Sequence, residues 1–524
     1  MVDTKLASSA APAPALGTRS RSVAAALALL CLLVGLGRLR TYGEPFERDI
    51  MLYAVVGHEL LHGAHLYVDV LDHKPPAVYA TFAVAEAAVG YGPQAIYLIG
   101  VACSCLTLLG VFACGASTRA TTGLLAALLW LLASYDLNLQ ANQPNTEAMI
   151  NATLVLAFAL LLWSHRWRRP SVAVTLAAVS IGLSSLYKPV TLLLVPLWLV
   201  AFWMRDVDTL GSHRRMLLRL LPLALAPVTL WAAVLAYFAL TDRLGLFLTV
   251  VVSFNAWYAG DIWGNLATGL APSRLWPVFL WPQLPLLVVS AGLFVQLRGR
   301  MRRYLPLLAY AAAAALMVAA QGRESRHNFQ LYLPPLVLAA AGSIECIAAA
   351  AARWRRALAA SVTVALIGVA LTLHVRDLRL GPDAASIRKF GNACIVVREA
   401  AKVIDTMLRP EERLFVWGID PGFYFYTKHR PISSCLWSTH LRGPLTDLLK
   451  ERLERDLKRQ PPDLLVVDTR ADLGRLSPQL QALLRSTYEP IPTKADFTPF
   501  RLLSRHGSDL GRRIASTVAD AQRQ

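Results

Sequence analysis

Charge is scarce in this chain. Asp, Glu, Lys and Arg make up 16% of its 524 residues, against 55% hydrophobic. That shortage excludes an ordinary soluble globular protein, in which about a quarter of the residues are charged. Cysteine is scarce as well: seven residues, with no C-x-x-C or other metal-ligand spacing. Zinc ribbons and dithiol redox centres are therefore excluded. Cys31, Cys103, Cys105, Cys114 and Cys346 lie in or beside apolar runs and read as small packing residues. No internal repeat period is evident, which excludes solenoids and propellers.

Long apolar runs are what the chain has in plenty. About twenty apolar residues are needed to cross a bilayer as a helix, and such runs recur from Val23 to Leu373. The fold class is a polytopic α-helical membrane protein. Spans are expected near 22–40, 95–114, 121–135, 148–164, 171–186, 189–204, 219–240, 275–296, 304–320, 331–350 and 357–374, about eleven in all. The net charge of +18 would suit a nucleic-acid partner, but the arginines stand in short clusters between spans. Positive-inside placement accounts for them, and no nucleic acid is expected.

The clusters fix the orientation. Arg119, Arg166 with Arg168 and Arg169, Arg205 with Arg214 and Arg215, Arg298 to Arg303, and Arg353 to Arg356 fall on one face, the cytoplasmic one. Segments 44–76, 135–147, 187–188, 241–274 and 321–332 fall on the other. The first run resembles a signal peptide, but no clean cleavage site follows it, so it reads as an uncleaved span. Residues 1–21, rich in Ala, Ser and Pro, are expected to be a disordered cytoplasmic tail. The shorter apolar segments Ile50–Leu61, Ala77–Val89 and Leu244–Phe254 read as helices along the outer interface. The transmembrane unit is then 22–374.

Charge returns beyond residue 375, with strands expected at Arg413–Gly418 and Pro462–Asp468 and helices at Ala384–Met407 and Leu445–Leu457. Residues 375–506 read as an extracytoplasmic α/β domain, and 507–524 as a polar C-terminal tail. On an oxidising side Cys394 and Cys435 either pair or stay free.

The chemistry gathers in the first outer loop, Glu44 to Pro76. It carries Glu44, Glu47, Asp49, Glu59, Asp69 and Asp72, four histidines, Arg48 and Lys74. Within it His58-Glu59-Leu60-Leu61-His62 matches H-E-x-x-H, which puts two imidazoles on one helical face beside a glutamate. A membrane zinc metalloprotease is one alternative. A third ligand is hard to find, because His65 is too close and Glu86 lies on a separate helix. A lipid or sugar transporter is another alternative. Transporters keep ionisable residues inside their spans, and these spans are almost free of charge.

Arg48-Asp49, Gly63-x-x-Leu66-Tyr67-x-Asp69 and Asp72-x-Lys74-Pro75-Pro76 resemble the first outer loop of polyprenyl-phosphate-sugar-dependent glycosyltransferases of the GT-C class. The resemblance is to the bacterial family 39 branch, related to protein O-mannosyltransferases and the aminoarabinose transferase of lipid A. Asn145-Thr146-Glu147, Leu186-Tyr-Lys-Pro189 and His327-Asn-Phe-Gln330 through Pro334 agree with it, and it covers about residues 25–345. It implies an inverting transfer of a sugar from a lipid-linked donor to a lipid, protein or glycan acceptor of the cell envelope, in a bacterial inner membrane. By resemblance Asp49 is the base and Glu147 a second carboxylate at the site. Lys74 is the main phosphate contact, and Arg48, Tyr67, Arg323, Arg326, His327 and Gln330 bind substrate.

Plainer explanations stand beside these roles. Asp49 also suits a helix cap, Lys74 a snorkelling lysine, and Glu147 the positive end of a helix dipole. Lys188, Arg323, Arg326 and His327 equally suit a loop among headgroups. The family often has two adjacent acidic residues in the first loop. Here Ile50 follows Asp49, and Glu47 is spaced wrongly to replace the second. No metal ligand is assigned. Some relatives bind a divalent metal near this site, and His58, His62 and His327 are the histidines that offer ligands for one.

Overall fold

The computed structural model describes residues 18–295, 301–323, 325–349, 352–472, 474, 476–492 and 496–523. The tail expected over 1–21 lies almost wholly outside them. The first seven helices are α1 (Thr18–Leu39), α2 (Arg48–Leu61), α3 (Ala77–Val89), α4 (Pro93–Ala116), α5 (Ala120–Ala133), α6 (Thr146–Trp163) and α7 (Pro170–Ser185). Among the described residues eight helices are long and apolar enough to cross a membrane, or up to ten if each of two bent pairs is one span. The protein is a multi-pass membrane protein with a C-terminal α/β domain.

Each of the eleven expected runs is helical, but three differ from a straight span. Helices α5 and α7 have 14 and 16 residues, short of the length a span needs. The run over 275–296 is broken: Pro272–Leu280 and Leu284–Leu293 meet at 109°. Pro282 and Pro285 deny the helix its backbone donors there. Gln283 is held in the break by a 2.6 Å hydrogen bond from its Nε2 to Asp136 Oδ2. The helix expected over Leu244–Phe254 continues to Ala259, then turns 54° at Gly260 into Ile262–Gly269. Gly260 has φ +72°, a conformation that suits glycine alone.

Two short helices carry the first outer loop. Glu47 caps α2, its Oε2 accepting from the Asp49 backbone N–H at 3.0 Å. Helices α2 and α3 cross at Gly57, where an added Cβ would stand 2.9 Å from the Ala83 nitrogen. Close crossing buries Tyr53, Tyr79 and Phe82 between them.

The C-terminal domain contains a four-stranded sheet of β1 (Leu414–Trp417), β2 (Leu464–Asp468), β3 (Tyr488–Pro490) and β4 (Phe500–Arg505), in the order β1-β2-β4-β3. β1 and β2 run parallel, and β4 lies antiparallel to both β2 and β3. Two strands, β3 and β4, extend the two that the sequence indicated. The helix expected over Ala384–Met407 is divided at Gly391 (φ +62°) into Pro382–Phe390 and Ala393–Met407. The expected polar tail contains a helix, Asp509–Arg523, whose Leu510 is buried and whose Arg513 pairs with Glu412 at 2.7 Å. Cys394 and Cys435 are both free thiols.

The domain is clamped onto the first loop. Lys389 reaches Glu44 at 2.5 Å with both side chains essentially inaccessible, and it also donates to Asn142 Oδ1 at 2.8 Å. Arg452 donates to the backbone oxygens of Tyr67 and Val68 at 3.0 and 3.2 Å. Leu71 bridges to Cys435.

Candidate active site

A cavity of about 1000 Å³ opens between the first loop, the bent helices and the C-terminal domain. Its lining includes the charged and polar side chains Glu47, Arg48, Asp49, His73, Lys74, Lys188, Arg323 and His327. It also includes the apolar residues Pro189, Val190, Leu192, Leu193, Trp231, Val251 and Ile262. Trp437 and Thr439 of the C-terminal domain line it as well. A lining that combines charged and apolar side chains fits an amphipathic ligand with an anionic head.

Asp49 lies in the first turn of α2 and faces this space. Its backbone N–H is capped by Glu47, while its carboxylate makes no hydrogen bond or ion pair among the described residues. Glu47 faces the cavity too. As the capping residue it has an extended backbone (φ −67°, ψ 144°) that folds its side chain back over the first turn. Sequence spacing alone argued against this, because helical periodicity does not apply at a cap. Burial, reinforced by the Asp49 charge, pushes the Glu47 carboxyl well above the usual range.

Lys74 lines the same cavity. Burial works against its ammonium, but Asp72 and Asp49 outweigh it and raise the Lys74 pKa. Its Nζ donates to His73 Nε2 at 3.0 Å. His73 Nδ1 then faces Asp72 Oδ1 at 2.9 Å and His440 Nε2 at 3.1 Å. Burial first, then the Lys74 charge, lower the His73 pKa from 6.5 to about 4. Burial works to raise the Asp72 pKa, but His73, His440 and Lys74 hold it well below the usual range. His73 and His440 were missed by the sequence reading. His73 stands between two residues that drew attention, and His440 is 367 positions away, brought in by the C-terminal domain.

Glu147 does not line the cavity. It is fully buried at the start of α6 and ion-paired to Lys188, which presents the charge instead. Lys188 Nζ also donates to Gln321 Oε1 at 2.9 Å and Asn328 Oδ1 at 3.0 Å. Arg323 stacks 4.0 Å over the Tyr258 ring and donates to the Tyr258 carbonyl at 3.0 Å. His327 faces the cavity and Gln140 Oε1 at 3.3 Å.

Besides Glu147, three residues of the expected set stand off the cavity. Tyr67 is buried, with φ +68°, and its hydroxyl donates to the Lys74 carbonyl at 2.7 Å, so it supports the lysine's backbone. Gln330 is buried and donates to the Leu139 carbonyl at 3.0 Å. Arg326 reaches outward to Asn138 Oδ1 at 3.3 Å.

Among the described residues two groups offer metal ligands. Asp72, His73 and His440 bring three ligand atoms within 4.8 Å of one another, with Asp72 Oδ1 2.9 Å from His73 Nδ1 and 3.4 Å from His440 Nε2, a donor set that fits a divalent ion. An ion on His73 Nδ1 requires the ring proton on Nε2, so Lys74 must first turn away from that nitrogen. His58, His62 and Glu86 form the second group. His327 joins neither. The H-E-x-x-H glutamate is unavailable as a base at the histidines, because Glu59 Oε2 accepts from Arg430 Nε and Nη2 at 2.9 and 2.5 Å.

Comparison with protein-family models and with curated protein sequences gives no match. The fold is shared with solved structures of GT-C glycosyltransferases. ArnT from Cupriavidus metallidurans bound to undecaprenyl phosphate superposes with a TM-score of 0.61 at 15% identity, covering 93% of this chain and 99% of that one. The archaeal oligosaccharyltransferase AglB from Archaeoglobus fulgidus, in complex with an inhibitory peptide and a dolichol-phosphate, gives 0.53 at 14% identity over 86% of this chain and 70% of that one. The Archaeoglobus fulgidus oligosaccharyltransferase in complex with Zn and sulfate gives 0.51 at 15% identity over 85% and 68%.

Proposed function

We propose that this chain is an inverting glycosyltransferase that moves a sugar from a polyprenyl phosphate to an acceptor outside the cytoplasm, with Asp49 as the base. One observation carries the reading. The unpartnered Asp49 carboxylate and the Lys74 ammonium share a cavity whose lining also carries many apolar side chains. The fold shared with structures holding undecaprenyl phosphate and dolichol-phosphate supports a lipid-linked donor. The first-loop pattern supports the family 39 branch among GT-C enzymes. The arginine distribution supports a bacterial inner membrane with the N-terminus cytoplasmic, 22–374 as the catalytic membrane unit and 375–506 outside.

The apolar lining residues take the first isoprene units, and the phosphate lies against Lys74, with Arg48, Lys188 and Arg323 within the same cavity. Asp49 takes the proton of the acceptor hydroxyl as its oxygen bonds to the anomeric carbon. The bond from that carbon to the phosphate oxygen breaks on the opposite face, and the electron pair leaves with the lipid phosphate. Charge building there is met by cations already in position. Glu147 is a positioning residue, fixing Lys188. A divalent ion held by Asp72, His73 and His440 would supply further positive charge near the phosphate.

The test is proteoliposomes of the full chain with labelled polyprenyl-phosphate sugar and a membrane extract as acceptor source. Wild type and Glu59→Ala are expected to release polyprenyl phosphate with transfer of label, and Lys74→Met to bind donor at least tenfold more weakly. Unchanged donor affinity in Lys74→Met contradicts the assignment, as does proteolysis that Glu59→Ala abolishes.

A further inference from the structure

The H-E-x-x-H helix has a use that sugar transfer does not call on. His58 and His62 project from the last turns of α2, and Glu86 comes from α3. One ring nitrogen from each histidine and one Glu86 oxygen lie within 4.8 Å of one another. His58 Nδ1 is 2.6 Å from Glu86 Oε1, and the two imidazole centroids are 4.2 Å apart. His62 anchors its Nδ1 on the His58 carbonyl at 2.8 Å, which leaves its Nε2 as the ligand atom. Tyr91 stacks on the other ring at 4.2 Å and fixes its plane.

We infer that His58, His62 and Glu86 form a zinc-type divalent metal site that ties α2 to α3, distinct from the sugar-transfer cavity and without hydrolytic activity. Histidines four apart on a helix present nitrogens to one ion, and a carboxylate from a neighbouring helix completes three protein ligands. Zinc bonds of about 2.0–2.1 Å put tetrahedral ligand atoms roughly 3.3 Å apart. The group reaches that spacing when the His58–Glu86 contact opens from 2.6 Å with loss of its shared proton and the exposed His62 ring turns toward the ion. His58 and Glu86 are partly shielded at 21% and 10% exposure, so two ligands are held in place and the third closes from solvent. Water completes the shell on the open side.

The glutamate that would make such a site a hydrolase is withdrawn. Glu59 is buried and engaged by Arg430 of the C-terminal domain. The site therefore joins two helices and carries out no chemistry. It lies nine residues along α2 from Asp49, roughly 13 Å at the helical rise, so the ion stiffens the base's helix from its far end.

The experiment uses the full chain in nanodiscs, stripped with chelator and re-equilibrated with Zn²⁺, with Co²⁺ as the spectroscopic probe. Zinc per chain, affinity and melting temperature are read for wild type, His62→Ala, Glu86→Gln and His440→Ala. His62→Ala and Glu86→Gln are each expected to lose one zinc equivalent, with affinity at that site falling by at least about 100-fold, the cost of a displaced outer-shell partner being the lower bound. They are also expected to lose the rise in melting temperature on adding zinc, while His440→Ala keeps that rise and the equivalent that His62→Ala removes. Matching melting temperatures of metal-free wild type and His62→Ala check that the variant folds. The inference is overturned if wild type takes up no zinc. It is equally overturned if His62→Ala binds as wild type does, or if the equivalent disappears only in His440→Ala.

Discussion

Lys74 Nζ and His73 Nε2 stand 3.0 Å apart, and through this contact two consecutive residues serve different halves of the molecule. Lys74 looks into the cavity, while His73 meets His440 of the C-terminal domain. The ammonium that faces the proposed phosphate is thus supported by a domain joined to the membrane unit at this point.

That contact has a pH signature. His73 titrates at about 4 in the fold against 6.5 in the unfolded chain. The unfolded state therefore takes up a proton first, and stability present above pH 6.5 is lost as pH falls towards 4, by on the order of 3 kcal/mol. Glu47, raised in the fold, works in the opposite direction over acidic pH. The difference between proteins isolates His73, whose neighbours are Asp72, Lys74 and His440. Thermal melts from pH 7 to 4.5 should fall more steeply for wild type than for His73→Gln, and parallel curves would contradict this.

The Lys389–Glu44 pair predicts a stability loss. Lys389→Met strands a buried carboxylate and should cost about 3–5 kcal/mol. Lys389→Met with Glu44→Gln should recover part of this, because the amide leaves no charge behind. A double-mutant cycle by denaturant titration gives the coupling directly.

Glu147→Gln separates a positioning carboxylate from a base. It should lower transfer about tenfold through a misplaced Lys188, with the pH profile of the rate unchanged. A loss equal to that of Asp49→Asn, with a lost pH limb, would make Glu147 a direct participant.

Gly57→Val tests the α2–α3 crossing. The added carbons meet the Ala83 backbone, which cannot rotate away, so a loss of about 1–3 kcal/mol is expected. An unchanged melting temperature would mean the helices separate freely.

Much of this fold was legible because apolar length is a property of single segments. The helices Ala77–Val89 and Arg48–Leu61 agree with the sequence reading within two residues. What stayed hidden depended on pairs of distant residues or on local breaks. Pro282 and Pro285 bend one apolar run that length alone reads as straight. Glu47 enters the cavity through a capping conformation, which has no period to detect. His440 and Lys188 acquire their significance only from partners 367 and 41 positions away. The site's first-loop residues, Arg48, Asp49 and Lys74, are close in sequence, and they were the legible part.

The most direct measurement is single-turnover sugar transfer by Asp49→Asn with donor bound at saturation. The account predicts a chemical step slowed by about 10²–10⁴-fold, the usual contribution of a general base, with donor affinity near that of wild type. Transfer at the wild-type rate from the amide variant would contradict it.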